Sequence, residues 1–372
     1  MSFLTSQLKH VVIIGDGLRA SLAAAYLAAR CVPSGCAVRV LSTRAGTVET
    51  GPVIARPNIR RLHQLLRITE QELIQSAEGQ YLYALSLSNG VALPFSKYGQ
   101  AYKGVNFAQI WARLNHEGAP KPLAHYNISL RIGKAKRIPS SMEVEVGYQF
   151  SRPAYDGLLR EHAKRHGARF ESELCLDVCV ADGDEKMSAI KTAQGAFTPD
   201  CIIDVRAPND SAEDRSIGRR ESGWRGNVLD VPLQTGFAGL ELFTLQSALQ
   251  RMSDFMPDKS FNPHERAEMT RLARAEQSHI LDMTALLDSS ADFEVTRPSL
   301  QRKINVFKSH GRIVREDYEV FSASEWRAAL MSQGHKPTYY NRLLDGFSLE
   351  ELKAHADYVE TAIDQAMLEL DL

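Results

Sequence analysis

The chain has 372 residues, with 44 basic and 45 acidic side chains, so its formal net charge is −1. Its 44% hydrophobic and 24% charged residues are typical of a soluble globular protein, and the charge balance argues against nucleic acid as the main partner, because phosphate neutralisation needs excess lysine and arginine. No apolar run reaches the roughly 20 residues that span a bilayer, and the five thinly spread cysteines favour a reducing compartment, so we expect a cytoplasmic protein without membrane contact.

The first elements along the chain predict the start of a nucleotide-binding fold. Residues 11–14 are apolar and indicate a buried strand, and Gly15 and Gly17 follow as a tight turn. Residues 20–30 are rich in alanine and leucine and predict a helix, after which residues 37–41 predict a second strand. This strand–turn–helix–strand order is typical of dinucleotide-binding domains.

The rest of the chain mixes sheet and helix before becoming mainly helical. We expect helices at 58–66, 70–76, 155–166, 244–255, 264–287, 323–333 and 349–370, and strands at 81–87, 90–95, 169–180, 189–192 and 199–205. The dipeptide Asn89-Gly90 predicts a tight hairpin turn. The fold class is therefore α/β. We expect a Rossmann-like domain over 1–236, with an inserted sheet segment at about 53–150, and a mainly helical region over 237–372.

The turn carries the pattern Gly15-x-Gly17-x-x-Ala20, which places backbone close to a pyrophosphate and lets the helix pack on the strand. The acidic residue that normally ends the second strand and accepts ribose hydroxyls is absent, and Ser42 stands there instead. Ser42 could bond a ribose more weakly, and Arg44 could meet a phosphate. The alternative is a fold that is retained although it no longer binds a nucleotide.

No metal site is expected. Four of the five cysteines occur as two pairs, Cys31 with Cys36 and Cys175 with Cys179. Neither has a partner pair at metal spacing, and structural thiols are the preferred interpretation. His162 and His166 share one helix face but have no third ligand beside them.

Six segments carry motifs in a fixed order. They are IIGDGLRASLAAAYL (13–27), TVETGPVIARPNIRRLHQLLRITEQELI (47–74), GQYLYALSL (79–87), VGYQFSRPAYDGLLREHAKRHGARF (146–170), WRGNVLDVPLQTGFAGLELFTLQSALQRM (224–252) and WRAALMSQGHKPTYYNRLLD (326–345). Together they resemble the flavin-dependent tryptophan halogenase family, a branch of the flavin monooxygenases. The first segment looks like that family's flavin-binding turn, G-G-G-x-A-G-W.

The resemblance implies FAD as cofactor, reduced by a partner reductase before it reacts with oxygen. Hypohalous acid then passes to a lysine beside the indole, and a glutamate assists. It also implies which residues to test. The nucleotide contacts would be Gly15, Gly17, Arg19, Ala20 and Ser42. Arg56 and Glu49 fall in the segment that matches the flavin-adjacent loop, so Arg56 is a further cofactor contact and Glu49 the candidate for proton chemistry.

The chain departs from the family where the chemistry takes place. Leu82 stands at the position of the lysine and cannot form a haloamine or hydrogen-bond hypohalous acid. Leu242 aligns with the second glutamate of E-P-L-E, although shifting the alignment by one residue brings in Glu241. The segment W-x-W-x-I-P, which separates the flavin and substrate sites in the family, is absent. The chain is also shorter than the family between Asp204 and Trp224.

Three interpretations follow. The preferred one is a halogenase-like protein that has lost halogenation and serves as a non-catalytic or auxiliary partner of an active flavoenzyme or flavin reductase, with oligomerisation open. The second is an FAD-dependent monooxygenase acting on tryptophan, an indole or a peptide-borne aromatic. The third is an α/β protein resembling the family by chance. Loss of the ribose carboxylate would weaken FAD binding by about 1.5–3 kcal/mol.

Overall fold

The computed structural model describes residues 7–43, 51–118, 121–180, 187–206, 223–231, 233, 238–287 and 297–370. In chain order its elements are β1 His10–Ile14, α1 Gly17–Cys31, β2 Ala37–Thr43, β3 Pro52–Ala55, α2 Arg60–Leu66, α3 Glu70–Gln75, β4 Gln80–Leu82, β5 Ala84–Ser86, β6 Ala92–Pro94, α4 Phe107–His116, α5 Ile128–Ile132, β7 Lys134–Ala135, β8 Gly147–Ser151, α6 Arg152–Arg165, β9 Arg169–Cys179, β10 Ala189–Thr192, β11 Gly195–Phe197, β12 Cys201–Asp204, β13 Gly223–Arg225, β14 Val228–Asp230, α7 Leu240–Asp254, α8 Pro263–Leu287, α9 Pro298–His310, α10 Ala323–Ser332 and α11 Leu349–Leu368.

The chain forms two compact units. Unit 1 comprises residues 1–79 and 149–275, and unit 2 comprises residues 80–148 and 276–372. This division differs from the predicted boundary at residue 236, because α7 packs against α1 inside unit 1. The predicted boundary at residue 236 stays a prediction.

Unit 1 is built on an eight-stranded sheet in the order β11-β10-β9-β2-β1-β12-β14-β13. The five strands from β9 to β14 run parallel, and antiparallel strands extend both edges. Val11 in β1 lies opposite Val38 of β2 and Cys201 of β12, and all three are buried. Central parallel strands are covered on both faces, which explains their nearly continuous apolar sequence. The predicted α/β class and Rossmann-like arrangement are confirmed.

Helix α1 is the central helix of unit 1. Every residue from Leu18 to Ala28 in it is buried, and the helix contacts both α6 and α7. Apart from Arg19 and Ser21, these residues are mainly apolar, as expected for a helix buried on all sides, and its alanines let neighbouring backbones approach closely. A separate core cluster joins side chains of the sheet and comprises Val12, Ile14, Leu41, Cys175, Ile190, Ile202 and Val228.

Unit 2 contains short strand pairs and several helices. Strands β5 and β6 form the predicted hairpin, in which the Gly90 N–H donates to the Leu87 carbonyl and Gly90 takes the left-handed φ of +84°. Helix α11 contacts α4 and α5, and buries an apolar stripe formed by Leu352, Ala356, Val359 and Ile363. The stripe is therefore core. Among the described helices, none has the length and apolar content to cross a membrane.

The cysteines match the prediction of structural thiols. All five are free, and all but Cys179 are buried. Burial raises the pKa of Cys31 to about 12 and that of Cys36 to about 11, so both remain protonated near neutral pH. Neutral, buried thiols act as small apolar side chains.

A buried histidine links two helices of unit 1. His63 in α2 is 4% exposed, and its Nε2 lies 2.9 Å from the Tyr155 hydroxyl in α6. Burial, with a smaller contribution from the positive charge of Arg60, lowers the pKa of His63 from 6.5 to about 3. His63 is thus neutral in the folded protein over a range in which the unfolded chain would be protonated.

We predict that the free energy of unfolding falls as the pH drops from about 6.5 toward 3, because protons bind the unfolded chain more readily over that range. In urea titrations at pH 6.5 and 4.5, His63→Gln, which can still hydrogen-bond Tyr155, should reduce this pH-dependent loss by about 2 kcal/mol. Equal losses in the wild type and the variant would contradict the prediction.

Candidate functional site: the carboxyl edge of the unit 1 sheet

The predicted turn lies at the point where the chain changes direction across the sheet. From β1 the chain passes through α1 to β2 on one side, whereas β12 lies on the other side of β1. In open α/β sheets, ligands bind beyond the carboxyl ends of the strands at such a switch point. The edge formed by the ends of β1, β2, β12 and β14 is therefore the candidate nucleotide site.

Gly15 and Gly17 occupy this turn for different reasons. A Cβ at Gly15 would lie 2.7 Å from Val205 Cγ2 and 3.3 Å from the Val205 carbonyl carbon, so the approach of β1 and the end of β12 requires glycine. Gly17 has a φ of +57°, is exposed, and would have no atom within 4 Å of a Cβ. Ala20, one turn into α1, is 2% exposed. Gly15 and Ala20 thus serve packing, and Gly17 leaves open space at the start of α1.

Arg19, predicted as a nucleotide contact, is turned into the protein. Its side chain is 5% exposed, with Nε donating to the Val205 carbonyl at 2.9 Å and Nη2 donating to the Val231 carbonyl at 2.5 Å. These carbonyls directly follow β12 and β14. Arg19 therefore ties together the ends of two neighbouring strands, and its predicted contact with a ligand stays a prediction.

A carboxylate that the sequence interpretation missed lies beside the end of β2. Asp16, between the two glycines, accepts a hydrogen bond from the Thr43 hydroxyl at 2.6 Å and from the Thr43 N–H at 3.1 Å, both at Oδ2. Asp16 is the N-cap residue of α1, yet its side chain makes no capping hydrogen bond. Ser42 is the residue before Thr43 and is partly exposed. The available signal was the acidic residue at a position where the resembled family has glycine.

Two further aspartates at this edge are paired with arginines. Asp204 and Asp230 are neighbours across β12 and β14, and each is 8% exposed. Arg206 donates from Nε and Nη2 to Asp204 at 2.9 and 2.6 Å, and Arg225 binds Asp230 through two nitrogens. Hydrogen bonding to Asp204 raises the pKa of Arg206. Both carboxylates are thus neutralised by arginines of this chain.

The two flavin-loop candidates cannot both be placed. Glu49 lies outside the described residues. Arg56 is 4% exposed and lies in unit 1 against the start of α7, with its guanidinium carbon 5.7 Å from the centre of the Phe243 ring. A Cβ at Gly239, the N-cap residue of α7, would lie 3.0 Å from Arg56 Cγ. Arg56 therefore packs against α7, and its role toward a cofactor stays a prediction.

The glutamate near the start of α7 is bound by an arginine. Arg152 donates to both Glu241 oxygens, at 2.9 and 2.8 Å, and both side chains are largely buried. Bidentate pairs of this kind hold a carboxylate in a fixed orientation. Leu242, the other candidate alignment of the family glutamate, is 1% exposed.

Leu82, which the resemblance aligns with the family lysine, is a core residue of unit 2. It is 2% exposed, and its neighbour Tyr83 is fully buried, with the hydroxyl donating to the Arg137 carbonyl at 2.6 Å. Burial raises the pKa of Tyr83 to about 12. The residue paired with Leu82 across the β4–β7 ladder is Lys134, which is exposed. Leu82 thus lies in the apolar packing of unit 2, and its alignment with the lysine stays a prediction.

A polar cluster that the sequence interpretation missed lies in unit 2. The ligand-type atoms of His279, Glu316 and Glu319 lie within 4.8 Å of one another. The Lys303 Nζ lies among them, at 3.2, 3.4 and 3.0 Å respectively, and 4.3 Å from the centre of the Trp326 ring. A lysine ammonium therefore takes the place that a bound cation would need.

Comparisons with known proteins agree with this fold. A family model described as tryptophan halogenase matches residues 10–207 and 206–348. The chain is similar in structure to BrvH, a flavin-dependent halogenase from Brevundimonas sp. BAL3, at 16% identity and a TM-score of 0.82, over 97% of each chain. It is also similar to Xcc4156, a flavin-dependent halogenase from Xanthomonas campestris, at 15% identity and a TM-score of 0.84, over 98% of this chain and 96% of that one. No curated protein sequence matches it.

We predict that Gly15→Ala destabilises the protein more than Gly17→Ala. A side chain at Gly15 meets Val205 and its backbone, whereas one at Gly17 costs only the left-handed backbone conformation, about 1–2 kcal/mol. Urea unfolding of the two variants measures the difference. Adding Val205→Ala should restore part of the loss in Gly15→Ala, and the absence of rescue would contradict this packing explanation.

Proposed function

Since the chain belongs to the tryptophan halogenase family, we propose that it is a halogenase-like protein that has lost halogenation and serves as a non-catalytic or auxiliary partner of an active flavoenzyme or flavin reductase. The observation that carries the proposal is Leu82. A buried leucine at the position of the family lysine offers no nitrogen to a hypohalous acid. Positioned acid or base groups contribute about 10²–10⁴-fold to such reactions.

The state of Glu241 supports the same proposal. Its two oxygens are occupied by the guanidinium of Arg152. A carboxylate that is already bound in this way is poorly suited to assist at a reacting centre. The shortening between Asp204 and Trp224 adds to the argument at the level of the sequence, although most of that segment lies outside the described residues.

FAD remains compatible with the carboxyl edge of unit 1. The family is FAD-dependent, the Gly15–Gly17 turn is intact, and the N-terminus of α1 has neither a side-chain cap nor an acidic residue in its first turn. Such a helix end provides N–H groups for a pyrophosphate. When bound, FAD supplies a redox-active ring that can be reduced and then react with oxygen. We propose that binding is weaker than in family members with a β2 acid, because Ser42 stands at that position.

The intact turn also favours a second candidate function, an FAD-dependent monooxygenase acting on tryptophan, an indole or a peptide-borne aromatic. Under both candidates we propose a cytoplasmic location. The two differ in whether the chain itself oxidises a substrate or supports another flavoprotein.

We predict that the protein purified without added flavin is colourless and binds FAD reversibly. The absorbance near 450 nm and a fluorescence titration with FAD measure this. A yellow protein carrying one FAD per chain would overturn both the weakened binding and the non-catalytic interpretation.

We also predict that no chloride- or bromide-dependent product forms from tryptophan in the presence of reduced FAD and oxygen. Mass spectrometry of the mixture measures this, with an active tryptophan halogenase as the positive control. A halogenated indole would refute the main proposal, whereas a hydroxylated product would favour the second candidate.

A further inference from the structure

We propose that the Asp16 carboxylate is this chain's acceptor for the ribose hydroxyls of an adenine nucleotide, in place of the acid missing from the end of β2. The inference rests on the flavin binding proposed above and identifies the residue on which the remaining affinity depends. It assigns nucleotide recognition to a residue inside the glycine turn, where a glycine would offer no side chain.

The Asp16 carboxylate lies where a ribose-binding acid is expected. Both hydrogen bonds that Thr43 donates from its N–H and hydroxyl end on Asp16, which lies 27 residues earlier in the chain. Thr43 is the last residue of β2, and ribose-binding acids occupy this strand end in dinucleotide-binding folds. Asp16 therefore brings a carboxylate to the expected place from the neighbouring strand connection.

The Asp16 carboxylate can accept further hydrogen bonds. An ionised carboxylate offers about four lone-pair positions. Oδ2 accepts the Thr43 hydroxyl at 2.6 Å and its N–H at 3.1 Å, whereas Oδ1 receives only a longer contact of 3.3 Å from the same N–H. Asp16 is also partly exposed. Oδ1 is thus oriented by Thr43 and retains capacity for a hydroxyl donor.

The neighbouring carboxylates, Asp204 and Asp230, differ from Asp16 in their partners. Asp204 and Asp230 are each bound by an arginine at two positions. Among the residues that the structure describes, no arginine or lysine forms an ion pair with Asp16. Of these three aspartates at the edge, Asp16 is the one whose hydrogen bonds come from uncharged donors, which leaves its charge to strengthen a bond from a ribose hydroxyl.

The same charge could act in the opposite sense. A carboxylate near a pyrophosphate repels it, and removing the charge would then tighten binding. The hydrogen bonds from Thr43 hold the carboxylate beside β2, and the carboxylate makes no capping bond to the N–H groups of α1. Both observations favour the role of acceptor. The two roles predict opposite signs for the effect of one substitution.

The experiment compares ligands on the full chain by isothermal titration. The wild type should bind FAD and ADP, and should bind 2′,3′-dideoxy-ADP about tenfold more weakly than ADP, because the latter supplies the hydroxyls. Asp16→Asn should weaken FAD and ADP by about tenfold and abolish the preference for ADP over its dideoxy analogue. Glu161→Gln removes the same charge from an exposed site of unit 1 and should change nothing.

Each result is decisive. A wild type that binds neither FAD nor ADP overturns the proposed flavin binding and this inference with it. FAD binding that is unchanged or tighter in Asp16→Asn, or equal affinity of the wild type for ADP and its dideoxy analogue, overturns the role of Asp16 alone. The ligand comparison on the wild type needs no variant, so misfolding of Asp16→Asn, detectable by circular dichroism, leaves the inference testable.

Discussion

The close approach of β1 and the end of β12 is the constraint on which unit 1 depends. At Gly15 there is no room for a Cβ against Val205, and Arg19 closes the same region by bonding the carbonyls that follow β12 and β14. The first turn of α1 thereby serves packing as much as any ligand. What the turn leaves for recognition is the open space at Gly17 and the side chain of Asp16.

Within unit 1, several acidic side chains are paired with arginines. At the edge of the unit 1 sheet, Asp204 and Asp230 hold arginines, and Glu241 holds Arg152 at the start of α7. Such pairing offsets the cost of burying the charged groups, because each carboxylate keeps hydrogen-bond partners inside the protein. Asp16 departs from this pattern, because its hydrogen bonds come from the uncharged N–H and hydroxyl of Thr43.

Local sequence was enough to predict the start of the fold and its helical end, because these elements have strong periodicity and clear turn residues. Three helices were missed, namely α4, the five-residue α5 and α9. In α9 the buried positions Leu300, Ile304 and Phe307 follow helical spacing, but intervening polar residues and Pro298 obscure it. In α4, Asn106 caps a run of mixed residues. The turn motif indicated the candidate site, whereas the Asp16–Thr43 contact could not be predicted, since it depends on how the end of β2 lies relative to the turn after β1.

The cluster around Lys303 has a consequence for how unit 2 responds to its surroundings. The cations that neutralise Glu316 and Glu319 are Lys303 and, at Glu316, also Arg302. Both belong to the polypeptide, so their local concentration is fixed by the fold. A dissociable metal ion would contribute to stability only in proportion to its supply, and a chelator could remove it. With an ammonium in that position, the charge balance of this core is insensitive to metal scarcity.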